Sequence, residues 1–302
     1  EDATVLDLGD DLCVASVDPI TGAGSEIGWL AVHVSCNDVA AHGARPVAVL
    51  LTVLVPPGAG LEAVDELMQG AERAAREVGI AIAGGHTEVT PGLPQPLVTA
   101  TVIGRAPRGR VLRSADLRPG DRVWMSKSAG LEGTAILAAD LAAVLAGRVE
   151  PHVLREAEAL GAAISVVPEA LAAAAAGASA MHDVTEGGVL GALWEMAAAA
   201  GVGLEVDVDA IPVAPCTAAV CRALDLDPLR LISSGVLLAA APAGVDLGAA
   251  TGAAGPALVP IARALPGGEG CWLLEAGRRR PLDPPDSDEL WRAKARFGEV
   301  AG

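Results

Sequence analysis

With 302 residues and a formal net charge of −17, the chain has material for one large or two ordinary domains, and its charge opposes binding to nucleic-acid backbones or anionic membranes. Hydrophobic residues make up 52%, yet no uninterrupted apolar run reaches the ~18 residues that span a bilayer, and no signal-like segment opens the chain, so a soluble cytoplasmic protein is expected. Aromatic residues are scarce (no Tyr, one Phe, five Trp), which argues against a base-stacking platform and leaves the cores to Ala, Val and Leu.

The chain opens with Glu1-Asp2-Ala3-Thr4-Val5, and residues 12–17 predict a strand ending in Asp18-Pro19. An acid at the C-terminal edge of a strand points to a ligand site in an α/β fold, although Asp-Pro also starts turns. Residues 27–42 predict a helix closed by Gly43. Within it, Asn37-Asp38 lies among alanines and valines, a costly setting unless the pair is solvated, hydrogen-bonded or bound to a cation. Residues 47–55 are apolar on both faces and predict a strand covered on both sides. A helix over 61–78 follows, then a short strand over 80–83 running into the turn-like Gly84-Gly85-His86-Thr87-Glu88. After a strand over 97–103, the basic stretch 105–118 and Pro119-Gly120-Asp121 predict a boundary between domains 1–118 and 119–302.

The second half predicts a strand over 122–126, a helix over 133–146 and an alanine-rich helix over 168–176. There follows the most informative segment, His182-Asp183-Val184-Thr185-Glu186-Gly187-Gly188, ahead of an apolar helix over 189–200. Glycines at a helix start let the backbone approach a ligand, and first-turn N–H groups attract phosphate. Carboxylates do not bind phosphate directly, so they imply a shared divalent cation and a Mg-nucleotide site; ordinary helix capping is the bland alternative. Further strands are expected over 204–208, 236–241, 257–261 and 271–274, and a last helix over 286–297 with Ser287 as cap. Cys13, Cys36, Cys216, Cys221 and Cys271 form no zinc pattern and read as reduced, buried thiols.

The segments EDATV, ASVDPITG, NDVAAHGARP, GGHTEV and HDVTEGGVLGAL occur in the order found in the PurM superfamily, which the chain resembles up to about residue 275. That superfamily includes aminoimidazole ribonucleotide synthetase, thiamine-monophosphate kinases, selenophosphate synthetases and HypE. GVGLEVD, IPVAP and DLDPLRLISSGVL look most like the HypE-like branch. The resemblance implies an α/β (α+β) fold of two PurM-like domains. The N-terminal domain would form a dimeric β-barrel across two subunits and bind ATP and Mg²⁺; the C-terminal domain would be α/β. It further implies that Asp2, Asp18, Asp38 and Asp183 hold the metal and that Asn37 orients Asp38. Gly84, Gly85, Thr87, Gly187 and Gly188 would approach the nucleotide. Asp183 and His86 are the catalytic candidates, with His86 open between phosphate donor, metal ligand and structural residue.

The implied chemistry is ATP-dependent phosphoryl transfer that activates an amide or acid oxygen, with hydrogenase maturation as its setting. The implied partners are a second copy of the chain and a small-molecule substrate or a protein carrying it. A thiamine-monophosphate kinase-like enzyme and a non-catalytic nucleotide-binding scaffold are the alternatives. Three departures from HypE stand out. The sequence ends without the cysteine tail that carries the carboxamide, so reaction on its own thiol is not expected. Ser233-Ser234-Gly235 replaces an acid before Gly, and the chain starts within the Gly-rich opening motif, as if a segment preceded it.

Overall fold

The computed structural model describes residues 3–21, 26–252 and 255–297. It divides into two compact units, Glu1–Val111 and Leu112–Gly302. The first unit runs β1 (Ala3–Asp7), β2 (Asp11–Thr21), α1 (Ile27–Ala41), β3 (Arg45–Val55), α2 (Gly60–Val78), β4 (Ala81–Val89) and β5 (Leu97–Pro107). Its open sheet has the order β1-β2-β5-β3-β4, antiparallel except for β3 against β4.

Both helices cover one face. Strand alternation turns Val49, Leu51, Val53, Val98, Ala100 and Val102 toward them, where all are buried. The helices approach closely at Gly28, where a Cβ would stand 2.1 Å from the Leu67 carbonyl oxygen. On the opposite face Val17 is 57% exposed, Val47 49%, Leu50 37% and Ile103 37%. Among the described residues no helix covers this second face, so the two-sided cover expected of β3 is not supplied by the chain's own helices. A single copy also closes no barrel: its sheet ends at the two edges β1 and β4.

The glycine-rich segment after 80–83 is not a turn. Gly84 through Val89 continue β4 beside β3, with one register shift between Val49 and Leu50. Gly85 (φ 151°) is required by packing, since a Cβ there would lie 1.9 Å from the Leu51 carbonyl oxygen.

The second unit contains β6 (Arg122–Met125), α3 (Leu131–Asp140), α4 (Ala142–Leu145), α5 (Pro151–Ala159), α6 (Val167–Ala176), β7 (Ala180–Val184), α7 (Gly188–Ala200), β8 (Gly203–Asp207) and α8 (Pro215–Leu224). It continues with β9 (Val236–Ala241), α9 (Leu247–Thr251), β10 (Val259–Leu265), β11 (Cys271–Glu275), β12 (Arg278–Pro281) and α10 (Glu289–Phe297). The open sheet has the order β12-β11-β8-β10-β6-β9-β7. One core lies between sheet and α7, built from Val123, Met125, Leu190, Leu193, Met196, Leu204 and Leu238. A second joins α3, α4, α5, α8 and α10 through Leu137, Leu145, Ala157, Val220, Leu224 and Leu290.

The helix expected over 133–146 is broken: Leu141 (φ −109°, ψ 24°) leaves the helical region and separates α3 from α4. Helices α5 and α8, not anticipated, each start at a proline after an extended residue, a start signal present in the sequence at Pro151 and Pro215. Ser287 does not cap α10; the Asp288 carboxylate accepts the Leu290 N–H at 2.7 Å, and the Ser287 hydroxyl donates to a carbonyl instead. Cys36, Cys216 and Cys221 are buried as expected, whereas Cys13 on β2 and Cys271 on β11 are half-buried. Among the described residues, no single helix is long and apolar enough to cross a membrane.

Candidate functional site

In the first unit the metal-ligand candidates come from different elements. Asp2 lies outside the described residues. Asp18 is on β2 and Asp38 in the buried interior of α1. Ser16 draws them together: its hydroxyl donates a very short hydrogen bond to Asp38 Oδ2 and lies 3.4 Å from Asp18 Oδ2. Ser16 was missed by the sequence reading, although it stands two residues before Asp18 on the same strand face. Asn37 is buried beside Asp38, and His42 Nδ1 sits 2.8 Å from the Asp38 carbonyl, holding the last turn of α1. The Cys36 thiol is pushed up to about 12, by burial first and by Asp38 second.

Gly84, Gly85, His86 and Thr87 lie exposed along the edge strand β4. His86 Nε2 contacts Glu88 Oε2 at 3.1 Å on its own strand, not Asp18 or Asp38. Thr90 and then His86 hold the Glu88 carboxyl below its ordinary value.

In the second unit Asp183 is not at a helix start. It is buried on β7, paired with Leu237. The helix begins at Gly188, after Gly187 (φ 81°) has turned the chain. Gly188 (φ 63°) packs tightly, since a Cβ there would stand 2.6 Å from the Leu229 carbonyl oxygen. The Gly187 N–H donates to Asp288 Oδ2 at 2.7 Å.

Ser233-Ser234-Gly235 is held at each residue. The Ser233 hydroxyl accepts the Gly130 N–H at 2.7 Å, and Lys127 Nζ donates to the Gly235 carbonyl at 2.6 Å. Lys127 also reaches the Ser165 carbonyl at 2.7 Å and Glu169 at 2.5 Å. Burial lowers the Lys127 pKa, against the pull of Glu169. Ser234 hydrogen-bonds Glu132 through side chain and backbone; burial, with lesser repulsion from Asp288 and Glu186, keeps that carboxyl above its ordinary value. Glu132 Oε2 is buried with no hydrogen-bond partner. Sequence reasoning missed Lys127, Glu132, Glu169 and Asp288, because ordinary helix ends also carry such residues and only the tertiary fold gathers them.

The donor set fits Mg²⁺. No group of three or more His, Cys, Asp or Glu among the described residues forms a metal cage. Mg²⁺ needs none: it takes one or two carboxylates, with waters and substrate phosphates completing an oxygen shell.

Two family models match the chain: AIR synthase related protein, N-terminal domain, over residues 1–106, and AIR synthase related protein, C-terminal domain, over 118–269. The chain belongs to the AIR synthase related (PurM) family. Within it, the chain groups with the HypE-like hydrogenase maturation branch. It is 30% identical over 245 residues to a putative hydrogenase expression/formation protein of Methanocaldococcus jannaschii, covering 80% of this chain and 71% of that one. It is 35% identical over 233 residues to carbamoyl dehydratase HypE of Rhizobium leguminosarum bv. viciae, covering 76% of this chain and 65% of that one. The chain thus spans about two thirds of the length of these curated relatives. The crystal structure of E. coli HypE superimposes with a TM-score of 0.82 at 27% identity, over 97% of this chain and 93% of that one. A HypE solved in complex with ATP gives 0.76 at 26% identity, over 96% and 90%.

Proposed function

We propose that the chain is an ATP-dependent enzyme of the HypE/PurM type, acting in hydrogenase maturation. It activates an amide or acid oxygen by phosphoryl transfer, on a substrate that arrives as a small molecule or on a partner protein. The observation that carries this reading is the Asp18–Ser16–Asp38 cluster, a hydrogen-bonded carboxylate pair where Mg-nucleotide chemistry was expected. A relative solved with ATP supports the nucleotide. Asp2, Asp18, Asp38 and Asp183 are the proposed Mg²⁺ ligands, and Asn37, Gly84, Gly85, Thr87, Gly187 and Gly188 the proposed nucleotide surround. Bound Mg²⁺ neutralises phosphate charge in a protein that is itself strongly negative.

The side chains contribute positioning and charge, as phosphoryl transfer demands. Ser16 donates a hydrogen bond to Asp38, and the buried Asn37 stands beside it. Phosphorylation of a carboxamide oxygen, with release of one nitrogen-bound proton, turns that oxygen into a leaving group; departure of the phosphate with the remaining nitrogen-bound proton yields a nitrile, the dehydration that the relative's name describes. Glu132, beside Ser234, is the buried carboxyl available to take up a proton. Cys36, Cys221 and Cys271 are poor carriers of the amide, since burial pushes Cys36 and Cys221 up to about 12 and raises Cys271. The curated relatives at 30% and 35% identity bear hydrogenase and carbamoyl dehydratase names, which favours this reading over a thiamine-monophosphate kinase.

Calorimetry with Mg-ATP tests it. Wild type should bind, and Asp38→Asn or Asp183→Asn should lose about tenfold or more in affinity, roughly 1.4 kcal/mol. No binding by wild type at millimolar Mg-ATP would remove the assignment. ADP release stimulated by a carbamoylated partner separates an enzyme from a non-catalytic scaffold.

A further inference from the structure

Asp288 is a carboxylate only 4% exposed, placed just before α10. Its Oδ2 accepts the Gly187 N–H at 2.7 Å, and its Oδ1 accepts the N–H of Leu290 at 2.7 Å and of Ile232 at 3.2 Å. These donors belong to three separate stretches: the turn before α7, the loop leading into Ser233-Ser234-Gly235, and the first turn of α10. The Leu290 bond alone is ordinary capping. The bonds to Gly187 and Ile232 are not, because they reach 101 and 56 residues back along the chain.

Gly187 immediately precedes a helix of 13 residues whose dipole favours an anion; the first-turn N–H groups of Gly188 and Leu190 are taken by the Thr185 and Leu229 carbonyls, so the Gly187 N–H is the donor turned to Asp288. The chain supplies that anion itself, from a segment beyond the residues 118–269 matched by the C-terminal family model. Burial and the nearby Glu186 raise the Asp288 pKa, while its three N–H donors pull it down. A carboxylate kept under such pressure and still triply bonded is held by its donors.

We propose that Asp288 is a positioning residue, an internal anion that stations the Gly187-Gly188 turn and Ile232 and, through them, the end of β7 carrying Asp183. The last link, to Asp183, rests on the Mg-ATP reading; the first does not. While Asp288 is in place, the Gly187 N–H is committed to it rather than to a phosphate.

The experiment uses the full chain and the variants Asp288→Ala and Asp288→Asn, with residue-resolved amide hydrogen exchange. Asp288→Ala should speed exchange at Gly187, Ile232 and Leu290 by tenfold or more. Added formate, a free carboxylate of matching size, should slow it again, while chloride at equal ionic strength should not. Asp288→Asn, which keeps one acceptor oxygen, should fall between, and carries the comparison if the alanine variant does not fold. Faster exchange confined to Leu290 and α10 would reduce Asp288 to a cap and overturn the proposal, as would an absent formate effect. Mg-ATP affinity should fall with Asp288→Ala and recover with formate. If wild type binds no nucleotide, the exchange result still decides the positioning role, so the two readings fail separately.

Discussion

Ser16 joins two acids 20 residues apart in sequence: its hydroxyl faces both Asp38 and Asp18 from the buried side of β2. The acids were legible in the sequence because each stood in a costly or edge context; the serine was not, since alternation marks a face without naming what meets it. At the same scale, Glu132 predicts a pH effect. Its pKa is raised by burial, so the folded state binds the proton more tightly than the unfolded one. Stability should therefore fall as pH rises from the ordinary Glu value toward the raised one, and stay lower above it. Glu132→Gln, neutral throughout, should match wild type near pH 4 and exceed it in urea midpoint at pH 8. A difference independent of pH would contradict this.

At the scale of elements, two glycine pairs carry a packing demand that the sequence reading did not show. Gly84-Gly85 and Gly187-Gly188 both read as ligand-approach glycines, and Gly85 and Gly188 are in addition each pressed against a backbone carbonyl of a neighbouring segment. Such a neighbour is invisible in sequence because it comes from a distant strand or loop. Gly188→Ala places a methyl 2.6 Å from the Leu229 oxygen at φ 63° and should destabilise by about 2–4 kcal/mol. Gly177→Ala, also at positive φ (99°) but with open space around it, should cost only about 1 kcal/mol. Thermal unfolding of the two variants side by side checks the contrast; equal losses would show that backbone conformation, not packing, governs Gly188.

At the scale of the whole molecule, the uncovered face of the first unit's sheet bears on the expected assembly. Val17, Val47, Leu50 and Ile103 form an apolar surface of the kind that marks an interaction site. A second copy laying its sheet against this face would bury it and complete the barrel that the family resemblance implies. Wild type should then be a dimer by light scattering at micromolar concentration, and Leu50→Lys combined with Val47→Glu should give monomers with an unchanged circular dichroism spectrum. A monomeric wild type would refute the dimer.

By itself the sequence determined the α/β class and most strands and helices, and it singled out Asp18, Asp38 and Asp183 as candidates, because apolar periodicity and misplaced charge are local signals. Even the helix break at Leu141 and the continuation of β4 through Gly84-Gly85 escaped it, since both depend on what packs alongside. Only the tertiary structure decided that Asp183 sits on a strand, that Lys127 bridges Glu169 to Gly235, and that Asp288 fills the start of α7. Those contacts join residues about 40 to 110 apart, and no local pattern encodes them: a buried charge or N–H takes whatever partner the fold brings within hydrogen-bond reach.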